Sequence, residues 1–336
     1  MSDPAPTSEP ATDPAPATGA FVEGRVLRVD AKVCHVDVYG VVRHCAVRGK
    51  LFEDLGRAKN PVTVGDRVQV DPTGDPQSIE AVHARRNKLS RVASAHDPRE
   101  QVLFANVDQM FVVASVAKPG FSSNRTDRIL AACLHNGIPV TLVLNKVDLD
   151  KRGAVEDLVA TYAAAGIPMI QTCATAGPDA PGMDELRAAL AGRVSAFYGA
   201  SGVGKSTLLN TLDASLGIKV GKISKYWTAG KHTTSYSQMH PLAIGADSWV
   251  IDTPGIRVFR LFDVSAERLR DLFPEFAEHA GRCHFPNCSH DHEPDCAVYD
   301  AVEDGAIAPT RFASYLELLD EELGAPEGEA EAAPPE

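Results

Sequence analysis

No apolar run in this chain approaches the roughly 20 residues a helix needs to cross a bilayer; the longest, Met110–Ala117 and Ile138–Leu144, are strand-sized. The first twenty residues have neither a basic start nor an apolar stretch, which argues against a secretory signal. A cytoplasmic protein without membrane contact is expected. Basic residues are missing from both ends: Asp3, Glu9 and Asp13 are unopposed in residues 1–20, as are Asp320, Glu321, Glu322, Glu327, Glu329, Glu331 and Glu336 in residues 320–336. These acids carry most of the net charge of -12 and leave the interior close to neutral, so overall charge does not exclude a nucleic-acid partner. Both ends are poor in aromatic and branched residues, and disordered acidic tails are expected over 1–20 and 324–336. Cysteine is sparse. Cys34, Cys45, Cys133 and Cys173 are scattered along apolar stretches as small core residues. Cys283, Cys288 and Cys296 are clustered, which in a cytosolic chain points to metal before disulfide.

Short alternating segments fill Phe21 to about Arg86, with Val26 and Val29, then Cys34, Val36 and Val38, a turn at Gly40, and strand-like stretches at Thr63–Val70 and Ser78–Ala84. That spacing predicts a small closed barrel of the OB type, placed at 21–95. From Asn106 strands and helices alternate. Strands are expected at Met110–Val116, Val140–Leu144, Pro168–Thr172, Ser195–Tyr198 and Trp249–Ile251, and helices at Arg125–Asn136, Val155–Ala165, Met183–Leu190 and from Lys205. Such alternation predicts a parallel sheet covered on both faces, over 96–264, with ligands bound beyond the strand carboxyl ends. A helical, polar domain over 265–323 follows. The fold class is thus multi-domain α/β.

Gly199, Ala200, Ser201, Gly202, Val203, Gly204, Lys205 and Ser206 satisfy G-x-x-x-x-G-K-[ST] between a predicted strand and a predicted helix. Glycines let the backbone N–H groups wrap phosphates, Lys205 neutralises the β and γ charges, and Ser206 offers its hydroxyl to magnesium. Asp252, Thr253, Pro254 and Gly255 follow an apolar strand, where Asp252 can hold the magnesium shell and the Gly255 N–H can meet a γ-phosphate. Asn145, Lys146, Val147 and Asp148 end another strand. The Asp148 carboxylate can accept both the N1–H and the exocyclic amine of guanine, which adenine cannot reproduce. Asn145 and Lys146 would brace the ring and the loop, and Thr172, Cys173 and Ala174 suit the loop that backs the guanine carbonyl. The guanine motif precedes the phosphate motif, whereas ordinary small GTPases have the reverse order; the sequence therefore reads as a circular permutation of one sheet.

Cys283, Cys288, His290 and Cys296 form a C-x4-C-x-H-x5-C array. Three thiolates and one imidazole fill a tetrahedron, so one structural Zn2+ is expected; His284 and His292 lie near enough to compete as ligands but are expected to face solvent or to sit behind the ligands.

Together these residues resemble the RsgA (YjeQ/YloQ) family of circularly permuted GTPases that act on the small ribosomal subunit. The likeness runs through the barrel, Asn145–Asp148, Gly199–Thr207, then Gly230, Lys231, His232, Thr233 and Thr234, then Asp252–Gly255, and the zinc array. It implies GTP hydrolysis with Mg2+, stimulated by the small subunit late in its assembly, and binding to its rRNA. It also implies a first switch at Gly230–Thr234, with Thr233 or Thr234 on magnesium and γ-phosphate. Ile256 occupies the place where many GTPases carry a water-orienting glutamine, and His232 matches the family's proposed substitute. Cys173 departs from the usual serine. Two basic runs could meet RNA phosphates: Arg85, Arg86, Lys88 and Arg91, and Lys219, Lys222, Lys225 and Lys231. A monomer is expected. The competing readings are a P-loop kinase or ATPase, which leaves Asn145–Asp148 without a task, and an RNA-binding module with a vestigial nucleotide pocket, against which the intact Lys205, Ser206 and Asp252 argue.

Overall fold

The computed structural model describes residues 20–31, 33–53, 55–218, 237–253 and 259–324. Five strands come first: β1 (Val22–Val29), β2 (Cys34–Val38), β3 (Val41–Val47), β4 (Arg67–Asp71) and β5 (Gln77–Val82). They lie in the order β1-β2-β3-β5-β4, and β4 pairs back onto β1, which closes the barrel. Alternation sends Val26, Cys34, Val36, Cys45, Val68, Val70 and Ile79 into one interior core. The β2–β3 turn holds Tyr39 at φ 53° and Gly40 at φ 83°, the two left-handed positions that a tight hairpin needs to match strand twist.

A hairpin, β6 (Lys88–Ser94) and β7 (Asp97–Ala105), follows. The boundary expected between 95 and 96 falls in its turn, so the hairpin is the joint between barrel and nucleotide domain. Leu89 and Phe104 anchor it in the core of the latter.

The second sheet contains β8 (Gln109–Ser115), β9 (Val140–Asn145), β10 (Met169–Thr172), β11 (Val194–Gly199), β12 (Gln238–Pro241) and β13 (Trp249–Asp252), in the order β10-β9-β8-β11-β13-β12. Five are parallel and β12 is antiparallel to β13. Between them run α1 (Ser123–His135), α2 (Ala154–Ala164), α3 (Met183–Leu190) and α4 (Lys205–Leu212). Every residue of β8 is buried, as befits a central parallel strand covered on both faces. From β8 the chain winds outward through β9 to β10, then returns to β11 on the other side. The β8/β11 boundary is therefore the switch point of the sheet, where a crevice opens at the strand carboxyl ends. Strand β12 also meets β1, Arg28 facing Gln238, so barrel and sheet share hydrogen bonds.

The C-terminal part contains α5 (Ala266–Arg270), α6 (Ala277–Ala280), α7 (Ala297–Glu303) and α8 (Pro309–Leu323). No break in the core marks its start: Phe259, Leu261, Leu269, Phe273, Phe276, Tyr315 and Leu319 share one apolar cluster with Met110 and Ile129.

Candidate functional site

The phosphate motif occupies that crevice. Strand β11 ends at Gly199, the loop turns through Gly202 (φ 86°) and Gly204 (φ 98°), and α4 starts at Lys205, its free backbone N–H groups facing the loop. Gly204 is constrained twice, by its left-handed backbone and by Asn145, whose Nδ2 would stand 2.3 Å from an added Cβ.

Asn145 joins the two halves of the site. It is buried; its Nδ2 donates to the Val203 carbonyl at 2.9 Å, and its Oδ1 accepts from Thr172 Oγ1 and from the Ala174 amide, each at 3.2 Å. One side chain therefore ties the phosphate loop, the guanine motif and the loop after β10, although 58 residues separate Asn145 from Val203. Lys146 has a left-handed backbone and donates from Nζ to the Gly202 carbonyl at 2.6 Å and to the Lys118 carbonyl. Burial pulls its ammonium below the ordinary lysine value, with Asp148 pulling the other way. Asp148 presents an exposed carboxylate, and the Cys173 thiol donates to its Oδ1 at 3.0 Å. The thiol thus does what a serine hydroxyl would do at the departure noted in the sequence, fixing the acid's orientation.

On the other side of the loop, β13 runs parallel to β11 with Asp252 beside Phe197, and Lys205 Nζ forms an ion pair with Asp252 Oδ1. Thr253 is fully buried and donates from Oγ1 to the Phe197 carbonyl at 2.6 Å, pinning the start of the Asp252–Gly255 motif to β11. Sequence reasoning gave Thr253 no task. Ser206 and Thr207 open α4 beside Lys205. The described donor set fits a magnesium-bound nucleoside triphosphate: a cation, a hydroxyl, an acid and a helix N-terminus converge. His232, Thr233, Thr234, Gly255 and Ile256 lie outside the described residues, as do Lys219, Lys222, Lys225 and Lys231.

Chain that follows the Asp252 motif is held from four directions. The Phe259 carbonyl accepts from Arg128 Nη1 of α1 at 3.2 Å, and Arg128 also pairs with Glu321 of α8. Val92 of β6 donates its amide to the Arg260 carbonyl at 3.1 Å. Arg57, from the barrel, lies over Phe262 and pairs with Asp263 at 2.7 Å.

Cys283, Cys288, His290 and Cys296 are gathered between α6 and α7, their ligand atoms all within 4.8 Å of one another. His290 Nδ1 lies 3.6 Å from Cys283 Sγ and 3.4 Å from Cys296 Sγ, spacings near the edge of a zinc tetrahedron with bonds of about 2.0–2.3 Å. His290 therefore offers Nδ1. Its positive φ of 62° turns it toward the cysteines, and the Ser289 carbonyl beside it accepts from Tyr315 of α8. His284 and His292 are exposed and outside the group. These residues fit one four-coordinate metal with no open position.

The first basic run is split between half-buried and exposed residues. Arg85 is a bidentate partner of buried Asp66, Lys88 pairs with Glu100, and half-buried Arg91 bonds Gln101. Those three groups brace the barrel and the joint; Arg86 stays exposed beside Asp108.

A family model described as RsgA GTPase matches residues 82–262. A small ribosomal subunit biogenesis GTPase from Chlorobaculum tepidum is 40% identical over 288 residues, covering 83% of this chain and 90% of its own. One from Bacteroides fragilis is 37% identical over 286 residues, covering 84% and 91%. Among solved structures, YjeQ from Thermotoga maritima superposes with a TM-score of 0.71 at 31% identity, over 91% of this chain and all of its own. YloQ, a circularly permuted GTPase, gives 0.65 at 25%, over 92% and 98%.

Proposed function

The chain belongs to the RsgA family of circularly permuted GTPases, and from that membership we propose that it hydrolyses GTP to GDP and phosphate during maturation of the small (30S) ribosomal subunit. The observation that carries the guanine assignment is the Asn145 clasp, which makes the guanine motif and the phosphate loop one rigid unit despite their inverted order.

In this reading the loop from Gly199 to Gly204 and the N-terminus of α4 hold the phosphates, with Lys205 on the β and γ oxygens. Asp148 accepts from the guanine edge, braced by Cys173; Lys146 covers the ring, and Ala174 closes the pocket. Ser206 and Asp252, with Thr234 or Thr233, would hold Mg2+, which when bound offsets charge on the transferring phosphoryl group. Gly255 donates to the γ-phosphate. His232 orients the attacking water, because Ile256 has no polar atom to do so. Zn2+ on Cys283, Cys288, His290 and Cys296 is structural. The protein acts in the cytoplasm as a monomer bound to rRNA of the small subunit, which raises its turnover.

Among the described residues no helix is long and apolar enough to cross a membrane. A kinase or ATPase reading is disfavoured because it leaves Asp148, exposed at the pocket rim and held by a thiol, without a partner base. Parallel titrations with GTP, ATP and XTP, followed by turnover, test the assignment. GTP is expected to bind tightest, and Lys205→Ala to weaken triphosphate binding or abolish turnover. Equal affinity for ATP and GTP would reject it.

A further inference from the structure

On the outer face of the barrel, β1 and β4 place Arg25 directly opposite Arg67. Like charges in that register destabilise a sheet, so stability alone does not account for the pair. Arg67 is exposed and Arg25 half-buried, its guanidinium 5.5 Å from the centre of the Trp249 ring. Asp37 faces Arg25 from β2 on its other flank, yet neither arginine forms an ion pair with a described residue. Burial, then Arg67, weighs against the Arg25 charge and outweighs the favourable pull of Asp37, Asp247 and Asp108.

Both arginines, with Arg86, line a polar cleft of about 280 Å³ between the barrel and the amino ends of β8 and β11, the end of the sheet away from the nucleotide crevice. Asp108 and Asp247 are the acids in its lining. Asp108 is already engaged: Oδ1 accepts from Arg86 at 2.7 Å and Oδ2 from the Val194 amide at 2.8 Å. Asp247 is then the one acid of the lining left to the two arginines, with Asp37 flanking Arg25 from β2. Arg86 also borders a second, open depression with His83 and Lys88, so the cationic seam continues along the surface, as a passing chain would require.

We infer that this seam grips a backbone phosphate of ribosomal RNA, with the Arg25 and Arg67 guanidinium groups on its oxygens and Arg86 at the edge. Paired planar forks match the geometry of a phosphodiester, and an anion between them removes the repulsion that the bare register creates. Bound there, RNA ties the barrel to the GTPase domain across their joint. The inference rests on the small-subunit reading above.

The test compares wild type, Arg67→Gln and the Arg25→Gln/Arg67→Gln double variant for affinity to purified small subunits over a KCl series, together with the Tm of each free protein. The double variant is expected to bind roughly tenfold more weakly, and the slope of log affinity against log salt to become shallower by about one for each arginine removed. The Tm of Arg67→Gln is expected to equal or exceed that of wild type. Affinity and slope equal to wild type would overturn the inference while leaving the small-subunit reading intact. Weaker binding at an unchanged slope would assign the seam to a ribosomal protein, and a lowered Tm in Arg67→Gln would make the arginine structural; either overturns it. Wild type that does not bind small subunits at all removes the functional reading and this inference with it.

Discussion

Asn145 shows how much of the site one amide can organise. The sequence identified it as part of a guanine motif, but its three hydrogen bonds run to residues 27 to 58 positions away and depend on the order of β9, β10 and β11 in the sheet. Motif residues are legible because their chemistry is local: a glycine loop, an acid after an apolar strand, a lysine at a helix start. Contacts made by topology are not, and the Arg25–Arg67 opposition belongs to that second kind. Asp148 provides the sharpest prediction at this scale. In Asp148→Asn the amide turns an N–H toward the base, which matches the carbonyl of xanthine where guanine has its amine. Preference is expected to move from GTP toward XTP by at least roughly tenfold, measured by competitive binding of the two nucleotides. Retained guanine preference would remove Asp148 as the base-reading group.

Elements were legible where one period dominated. Helices α1 and α3 and the buried strands β8 and β9 fall within two residues of the expected bounds, because long apolar runs or a single helical face leave few alternatives. The β6–β7 hairpin was not legible: charged Arg91, Asp97, Arg99 and Glu100 interrupt its alternation. Strand β12 has four residues, among them Gln238, His240 and Pro241, and carries almost no pattern. Two elements of the C-terminal domain carry testable weight. Helix α8 buries Arg311, which bonds Asp127 of α1 at 2.6 Å and Glu275 at 2.7 and 3.1 Å, and stacks over Phe273. Arg311→Leu strands two buried carboxylates and is expected to cost about 3–5 kcal/mol, read from urea denaturation; a loss under 1 kcal/mol, on the order of an exposed pair, would show that the network is solvated. The Cys283–Cys296 cluster is held to α8 by the Tyr315 bond to Ser289. Chelation, or Cys288→Ser, is expected to release close to one zinc per chain and to raise amide exchange over residues 280–300 while the nucleotide affinity persists. Metal analysis of gently purified protein that finds no zinc would contradict the site.

For the whole molecule, the permutation has a mechanical consequence. Beyond the Asp252 motif, residues 259–263 are held by α1, β6, α8 and the barrel loop at Arg57. They are therefore clamped between these elements, and a partner that grips the barrel and α8 is expected to act through that clamp on the chain that follows the Asp252 motif. Arg128 stands at its centre, between Phe259 and Glu321. Arg128→Gln is expected to leave GTP affinity in place and to reduce the response of turnover to the partner, checked by comparing the two in one preparation. The order of the motifs made the permutation readable from sequence; the clamp was not, since its groups lie up to 206 residues apart.

Single-turnover GTP hydrolysis, measured on the same protein with and without purified small ribosomal subunits, tests the central claim most directly. Slow hydrolysis by the free protein, accelerated at least roughly tenfold by subunits and lost again in His232→Ala, is the predicted result. A rate that subunits leave unchanged, in protein shown to bind both GTP and subunits, would contradict it.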